Sequence, residues 1–212
     1  MDLARLMMFD AEVYVRLFRS YNEAIWPAPL ISIVLILFVF NLVIRPRPGG
    51  DRAISVVLGG FWIWTGWVFH FQTFATINIA APVFGAMFLI QGGALIWSGV
   101  IRGGLQFNAD RLVHCGRDLG LALMALVCAP FVAVATGGSW LDAPLAGLTP
   151  DATLVLSLGL LGLTVGRIPR WLLVIPALWC VIATMMAWLA AVPVFWVMPV
   201  VAWIGLIQRW RV

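Results

Sequence analysis

The chain has 212 residues, of which 63% are hydrophobic and only 10% charged, and its mean hydropathy is +1.04. A soluble domain is roughly 45–50% apolar and about 25% charged, so a chain this apolar is expected to be dissolved largely in lipid. Disorder, a coiled coil and a nucleic-acid-binding domain are excluded, and the net charge of +4 reports the placement of loops.

Residues 9–25 read as an amphipathic helix. Tyr14, Leu17, Phe18, Tyr21 and Ile25 share one face at i, i+3, i+4, i+7 spacing, with Glu12, Arg16, Arg19 and Glu23 on the other. Glu12–Arg16 and Arg19–Glu23 are expected i,i+4 pairs. Such a helix is expected to lie in the membrane interface. Acidic residues Asp2, Asp10 and Glu12 argue against a signal peptide. Trp26, Pro27 and Pro29 mark a turn into the first span.

Uncharged runs then predict seven transmembrane helices, about 28–45, 53–71, 78–101, 118–137, 151–166, 171–190 and 193–209. The fifth run is short for a hydrocarbon core of about 30 Å. Ten of the 13 arginines fall in alternate connections: Arg45, Arg47 and Arg52; Arg102, Arg111 and Arg117; Arg167 and Arg170; Arg209 and Arg211. The connections near 72–77, 138–150 and 190–193 hold none. By the positive-inside rule the N-terminus is outside and the C-terminus cytoplasmic. Gly162-xxx-Gly166, Gly99-xxx-Gly103 and Gly116-xxx-Gly120 are candidate close-packing motifs. Trp26, Trp140, Trp171 and Trp210 are expected in interfacial belts.

No lysine is present, which rules out a retinal Schiff base in the seven-helix bundle. Cys115, Cys128 and Cys180 fit no metal spacing, and no disulfide is expected. No carboxylate pair, nucleophile triad or HExxH motif is present. No internal repeat supports an inverted-repeat transporter. His114 is expected to be solvated, and Asn41 to cap or pair locally.

The residues FWIWTGWVFHFQTFATINIAAPVF, 61–84, concentrate aromatics around His70 at the hairpin between spans two and three. Trp67 and His70 are i,i+3 and share a face of an α-helix. Tyr21, Asn22, Glu23 and Trp26 are expected to reach the same outer side, with Asn78 and Gln91 on span three. About 140° of helical rotation separates Asn78 from Gln91, so they line different faces. His70 reads as an interfacial histidine bonded to backbone or to Glu23, as a ligand contact, or as a metal or haem ligand. One His and one carboxylate fall short of a zinc site. The sharpest structural expectation is a Glu23–His70 contact.

These residues resemble an uncharacterised family of bacterial multi-pass membrane proteins, a domain of unknown function. The likeness rests on YNEAIWPAP at 21–29, WIWTGWVFH at 62–70, INIAAPVF followed by FLIQ within 77–91, and PRWLLVIPALW at 169–179. Phe69 and Ile79 stand where the family is associated with Tyr and Pro, which weakens any hydroxyl-dependent role at position 69. The resemblance implies a multi-pass fold and no transferable activity; members sometimes carry loose permease labels. Its blocks coincide with Tyr21, Asn22, Glu23, Trp26, Trp67, His70, Asn78 and Gln91.

The resulting expectation is an all-α polytopic bundle of the bacterial inner membrane forming a single domain. Its function is read as non-enzymatic: a binding or accessory subunit using the outer cluster for a small molecule, a membrane protein partner or a second copy. No catalytic residue, metal or cofactor is implied. The alternative is a small permease for a neutral or apolar solute, with Ser32, Thr65, Gln91, Ser157, Thr164 and Thr184 as its polar path. A membrane enzyme or redox protein using His70 is the third reading.

Overall fold

The computed structural model describes residues 11–108, 116–135, 139–190 and 193–211. Among them the chain is all-helical and no strand forms. The helices are α1 (Ala11–Ala24), α2 (Ala28–Ile44), α3 (Gly50–Trp64), α4 (Ala81–Ile96), α5 (Gly116–Ala135), α6 (Pro150–Gly162), α7 (Val174–Ala190) and α8 (Val197–Arg211). Prolines sit in the first turns of α2, α4 and α6, where a missing N–H costs nothing. α2 stops before Arg45, which precedes Pro46 and is disfavoured in the helical region. Gly49 makes the left-handed step into α3 at φ +79°. π-helical turns extend α3 over Thr65–Thr73 and α4 over Trp97–Ile101.

Three of the described helices are long and apolar enough to cross a membrane: Gly50–Thr76, Ala81–Ile101 and Arg170–Ala190. Arg16–Ala24 and Ala28–Ile44 qualify together but are bent by 85°, which makes four if the bent pair is one span. Pro150–Gly162 and Val197–Trp210 are apolar but shorter. Helix length therefore does not support seven spans. The expected span 151–166 shows why. α6 has 13 residues, about 20 Å at 1.5 Å per residue against a core of about 30 Å.

α6 is the centre of the bundle. Every residue in it except Asp151 is buried. Trp62 on α3 is fully buried and its Nε1–H donates to Ser157 Oγ on α6 at 2.8 Å. A Cβ at Gly205 on α8 would meet Leu158 of α6 at 3.2 Å and Leu121 of α5 at 3.3 Å, so three helices converge there.

α3 and α4 approach through glycines spaced by seven. A Cβ at Gly59 would lie 2.7 Å from Gly92 O, and one at Gly92 2.6 Å from Gly59 O. One at Gly66 would lie 2.8 Å from Gly85 O, and one at Gly99 would collide with Ser55 Oγ. Small residues let antiparallel backbones touch. Of the expected small-xxx-small glycines, Gly99 takes part in this contact. Gly103 and Gly166 lie in connections at positive φ, and a Cβ at either, or at Gly120, meets nothing within 4 Å.

The connections gather at two ends. Phe107 N–H donates to Asp51 Oδ1 at 2.8 Å, and Phe107 forms an isolated antiparallel bridge with Thr164. This joins the stretches carrying Arg45, Arg47, Arg52, Arg102, Arg167 and Arg170. Further along the same helix from Asp51, Phe69 and Phe74 pack with Phe18 and Tyr21 of α1, so α1 caps the opposite end. There the connection Ser139–Thr149 folds inward, burying Ala143, Ala146, Leu148 and Thr149. The apolar face expected to lie in the interface is thus spent on protein contacts: Phe18 and Tyr21 are buried. Tyr14 and Glu12 side chains, residues 9 and 10, Asp2, Arg111, His114, Cys115, the Arg117 and Cys128 side chains and the turn at 191–192 lie outside the described residues.

Candidate functional site

The site begins with a change of helix type. From Thr65 to Thr73 the backbone bonds in π register; Phe74 N–H reaches both His70 O and Phe69 O, and Thr73 Oγ1–H donates to Val68 O. i→i+5 bonding puts more than four residues in a turn, so i,i+3 neighbours no longer align. Trp67 accordingly points out, 55% exposed, while His70 is fully buried. The shared face expected for the two does not form.

The His70 ring is enclosed by five aromatic rings. Centroid distances are 4.7 Å to Phe88, 5.2 Å to Trp179, 5.3 Å to Phe69, 5.9 Å to Phe74 and 6.1 Å to Phe84. Neither Nδ1 nor Nε2 has a hydrogen-bond partner among the described residues. Asn22 Oδ1 and Ser98 Oγ are also unpartnered, but among the described residues His70 is the one ring with both polar atoms in that condition. Trp179 extends the arrangement: its Nε1–H donates to Asp151 Oδ1 at 2.7 Å.

The expected Glu23–His70 contact is absent. Glu23 faces outward on α1 while His70 is sealed inside. The face of α1 that turns inward carries Tyr21 and Asn22. Tyr21 O–H donates to Leu148 O at 2.9 Å and accepts Trp64 Nε1–H at 3.0 Å. Asn22 Nδ2 donates to Leu141 O and Ala143 O at 2.7 and 3.0 Å. Both serve the inward-folded connection, whose buried backbone carbonyls need partners. Arg19 clamps the same connection through two bonds to Asp142, 2.6 and 2.8 Å, in place of the expected Glu23 pair. The Arg19 guanidinium, with Ser139 N–H, holds the Asp142 carboxyl below its usual range.

The other expected site residues disperse. Trp26 is exposed and lies against Trp140, centroids 6.4 Å apart. Asn78 is a turn residue whose Oδ1 accepts Ala80 N–H at the start of α4. Gln91 is buried and donates to Leu172 O at 2.9 Å. The candidate permease path is similarly occupied. Ser32 bonds Ala146 O, and Thr65, Ser157, Thr164 and Thr184 each bond a carbonyl one turn back. No group of three or more His, Cys, Asp or Glu among the described residues could hold a metal.

Residues 11–211, the stretch from α1 to α8, match a family of unknown function, DUF6064. The chain belongs to that family. No curated protein and no solved structure matches it. The DUF6064 match covers α1, its clamp and the His70 enclosure together.

Sequence reasoning missed four parts of this unit: Asp142 as the partner of Arg19, Asp151 under Trp179, the Ser157–Trp62 bond, and the ring set Phe84, Phe88 and Trp179. Phe84 and Phe88 at i,i+4 on α4 were a readable signal. The long-range pairs, 28 to 123 residues apart, carried none.

Proposed function

We propose that this chain is a multi-pass protein of the bacterial inner membrane with a non-enzymatic role, as a binding or accessory subunit whose recognition group is His70. The observation that carries this reading is the imidazole with two unpartnered nitrogens inside five rings. A buried polar group without a partner costs about 1–3 kcal/mol. A fold that retains such a cost calls for a functional explanation. The ligand class that fits is a small, largely apolar molecule with one hydrogen-bonding group for the ring. The ring is fully covered, so binding requires the cap to open, and α1 with its Arg19–Asp142 clamp is the movable part. The permease reading ranks second, because its hydroxyls are already bonded within the protein.

The seven-crossing topology, N-terminus outside, belongs to the same proposal. Support comes from the gathering of arginine-bearing connections at one end. α6 is shielded by protein on all sides, so it need not match lipid thickness. Non-helical backbone at its two ends is tolerable where protein buries it.

Native mass spectrometry of gently purified protein tests the role. A small molecule retained by the wild type and absent from His70→Leu is the expected result. A species retained equally by both moves the binding role away from His70. Reporter fusions at residue 212 and within 141–150 test topology, with cytoplasm and outside expected respectively; the same side for both overturns it.

A further inference from the structure

We infer that the arginine-bearing end of the bundle is a docking surface for anionic phospholipid headgroups. The inference rests on the membrane reading above. Arg45, Arg47, Arg52, Arg102, Arg167 and Arg170 are all exposed, and none of them pairs with a carboxylate among the described residues. The contrast with Arg19, clamped by Asp142 at the other end, is sharp. Asp51, the carboxylate described beside them, is occupied by Phe107 N–H.

Three connections bring the arginines together. The Asp51 bond ties the start of α3 to residue 107, and the Phe107–Thr164 bridge is flanked by Asn108 N–H to Leu163 O and Val165 N–H to Gln106 O. Trp97, whose carbonyl accepts Arg102 N–H at 3.0 Å, and Trp171, which follows Arg170 in the chain, are each about half exposed at 51% and 46%. Indoles favour the headgroup level of a bilayer, which places the guanidinium groups where phosphates lie. Guanidinium is built for paired hydrogen bonds to phosphate oxygens. Each basic residue near an anionic surface is worth about 1 kcal/mol at modest salt, roughly a fivefold gain in affinity.

The test uses the full chain in bilayers of phosphatidylcholine alone or mixed with phosphatidylglycerol, followed by native mass spectrometry of retained lipids. The expected result is preferential retention of phosphatidylglycerol, weakened by salt. Replacing Arg45, Arg47, Arg167 and Arg170 together by Gln should reduce that preference on the order of tenfold or more. Glu23→Gln at the opposite end should leave it unchanged. Equal retention of both lipids, an unaltered preference in the arginine variant, or complete displacement by inorganic phosphate overturns the inference. Alkaline extraction separates the two levels. Release of the wild-type chain from native membranes overturns the membrane reading itself. A chain that stays inserted without lipid preference overturns only this docking surface.

Discussion

Replacing His70 by Leu should stabilise the resting protein. Leu is apolar and of similar bulk, so the enclosure stays filled. The two unpartnered nitrogens each cost about 1–3 kcal/mol, a combined penalty of about 2–6 kcal/mol that the substitution removes. Against this stand the ring contacts it loses, of which Phe88 at 4.7 Å and Trp179 at 5.2 Å are the nearest. An aromatic pair contributes about 0.5–1.5 kcal/mol beyond its buried area, so two such pairs offset about 1–3 kcal/mol. The central values, about 4 less about 2, leave an expected net gain of about 2 kcal/mol for His70→Leu. Denaturant-induced unfolding of ligand-free protein in detergent, followed by circular dichroism, measures it. The same variant should lose ligand retention, the usual exchange between stability and function at a binding site. A loss of 1 kcal/mol or more would refute the reasoning, because it means the ring already has its hydrogen-bond partner in the resting state.

Adjacent glycines provide an internally controlled pair: Gly59→Ala should destabilise by about 1–3 kcal/mol through overpacking, since its Cβ would lie 2.5 Å from Ile96 Cγ1 and 2.7 Å from Gly92 O. Gly60→Ala, with nothing within 4 Å, should be neutral or stabilising by up to about 1 kcal/mol, and equal effects on unfolding would discredit the α3–α4 contact. Gly147→Ala should cost more than either, because φ is +82° and its Cβ would lie 2.7 Å from both Phe61 and Ser32 Oγ; unchanged thermal unfolding would mean the connection does not sit under α2 and α3. The α1 clamp should be acid-sensitive: the Asp142 pKa is depressed in the folded state by Arg19 and Ser139 N–H, so its contribution is full above the ordinary carboxylate pKa of about 3.9 and is lost as pH falls through the lowered value. Hydrogen exchange of α1 should accelerate over that acid window in the wild type and be fast at neutral pH already in Asp142→Asn, whereas identical profiles would show that the clamp does not hold the cap.

Local patterns carried most of the fold. Uncharged runs located α2, α3 and α4 with their π-helical turns, α5, α7 and α8 to within a few residues, because Arg, Pro and Gly punctuate the adjacent sequence. The site was less legible. Tyr21 and Asn22 were expected in an outer cluster, whereas both are buried against carbonyls more than 100 residues away, and sequence periodicity carries no sign of those partners. Glu23 was assigned to His70 from depth alone, and depth does not give the direction of a side chain around α1. Trp67 and His70 were placed on one face by an α-helical period, which fails once the backbone shifts to π register. The glycine contact was written in the sequence at a seven-residue interval, Gly59 and Gly66 against Gly85, Gly92 and Gly99; a search for four-residue spacing passes over it.

The shortness of α6 follows from the same physics that makes long spans necessary elsewhere. A helix facing lipid must be long because every residue of hydrocarbon-exposed backbone needs an internal hydrogen bond. α6 faces protein along its length, so that constraint falls on its neighbours. At its start, Thr153 Oγ1 accepts Gly147 N–H, and Ala146 and Leu148 carbonyls are met by Ser32 and Tyr21. At its end, the Phe107–Thr164 bridge takes over, with Leu163 O and Val165 N–H both bonded. Irregular backbone on both sides of a 13-residue helix is therefore bonded at these positions by side chains and a strand-like pair. Removing one of those partners, as in Ser32→Ala, should leave a buried carbonyl unpaired and cost about 1–3 kcal/mol, whereas loss of a hydroxyl bonded only to its own helix, as in Ser55→Ala, should cost less. If unfolding shows the two to be equal, the inward connection is not the support of α6, and the helix has to be held by its apolar contacts alone.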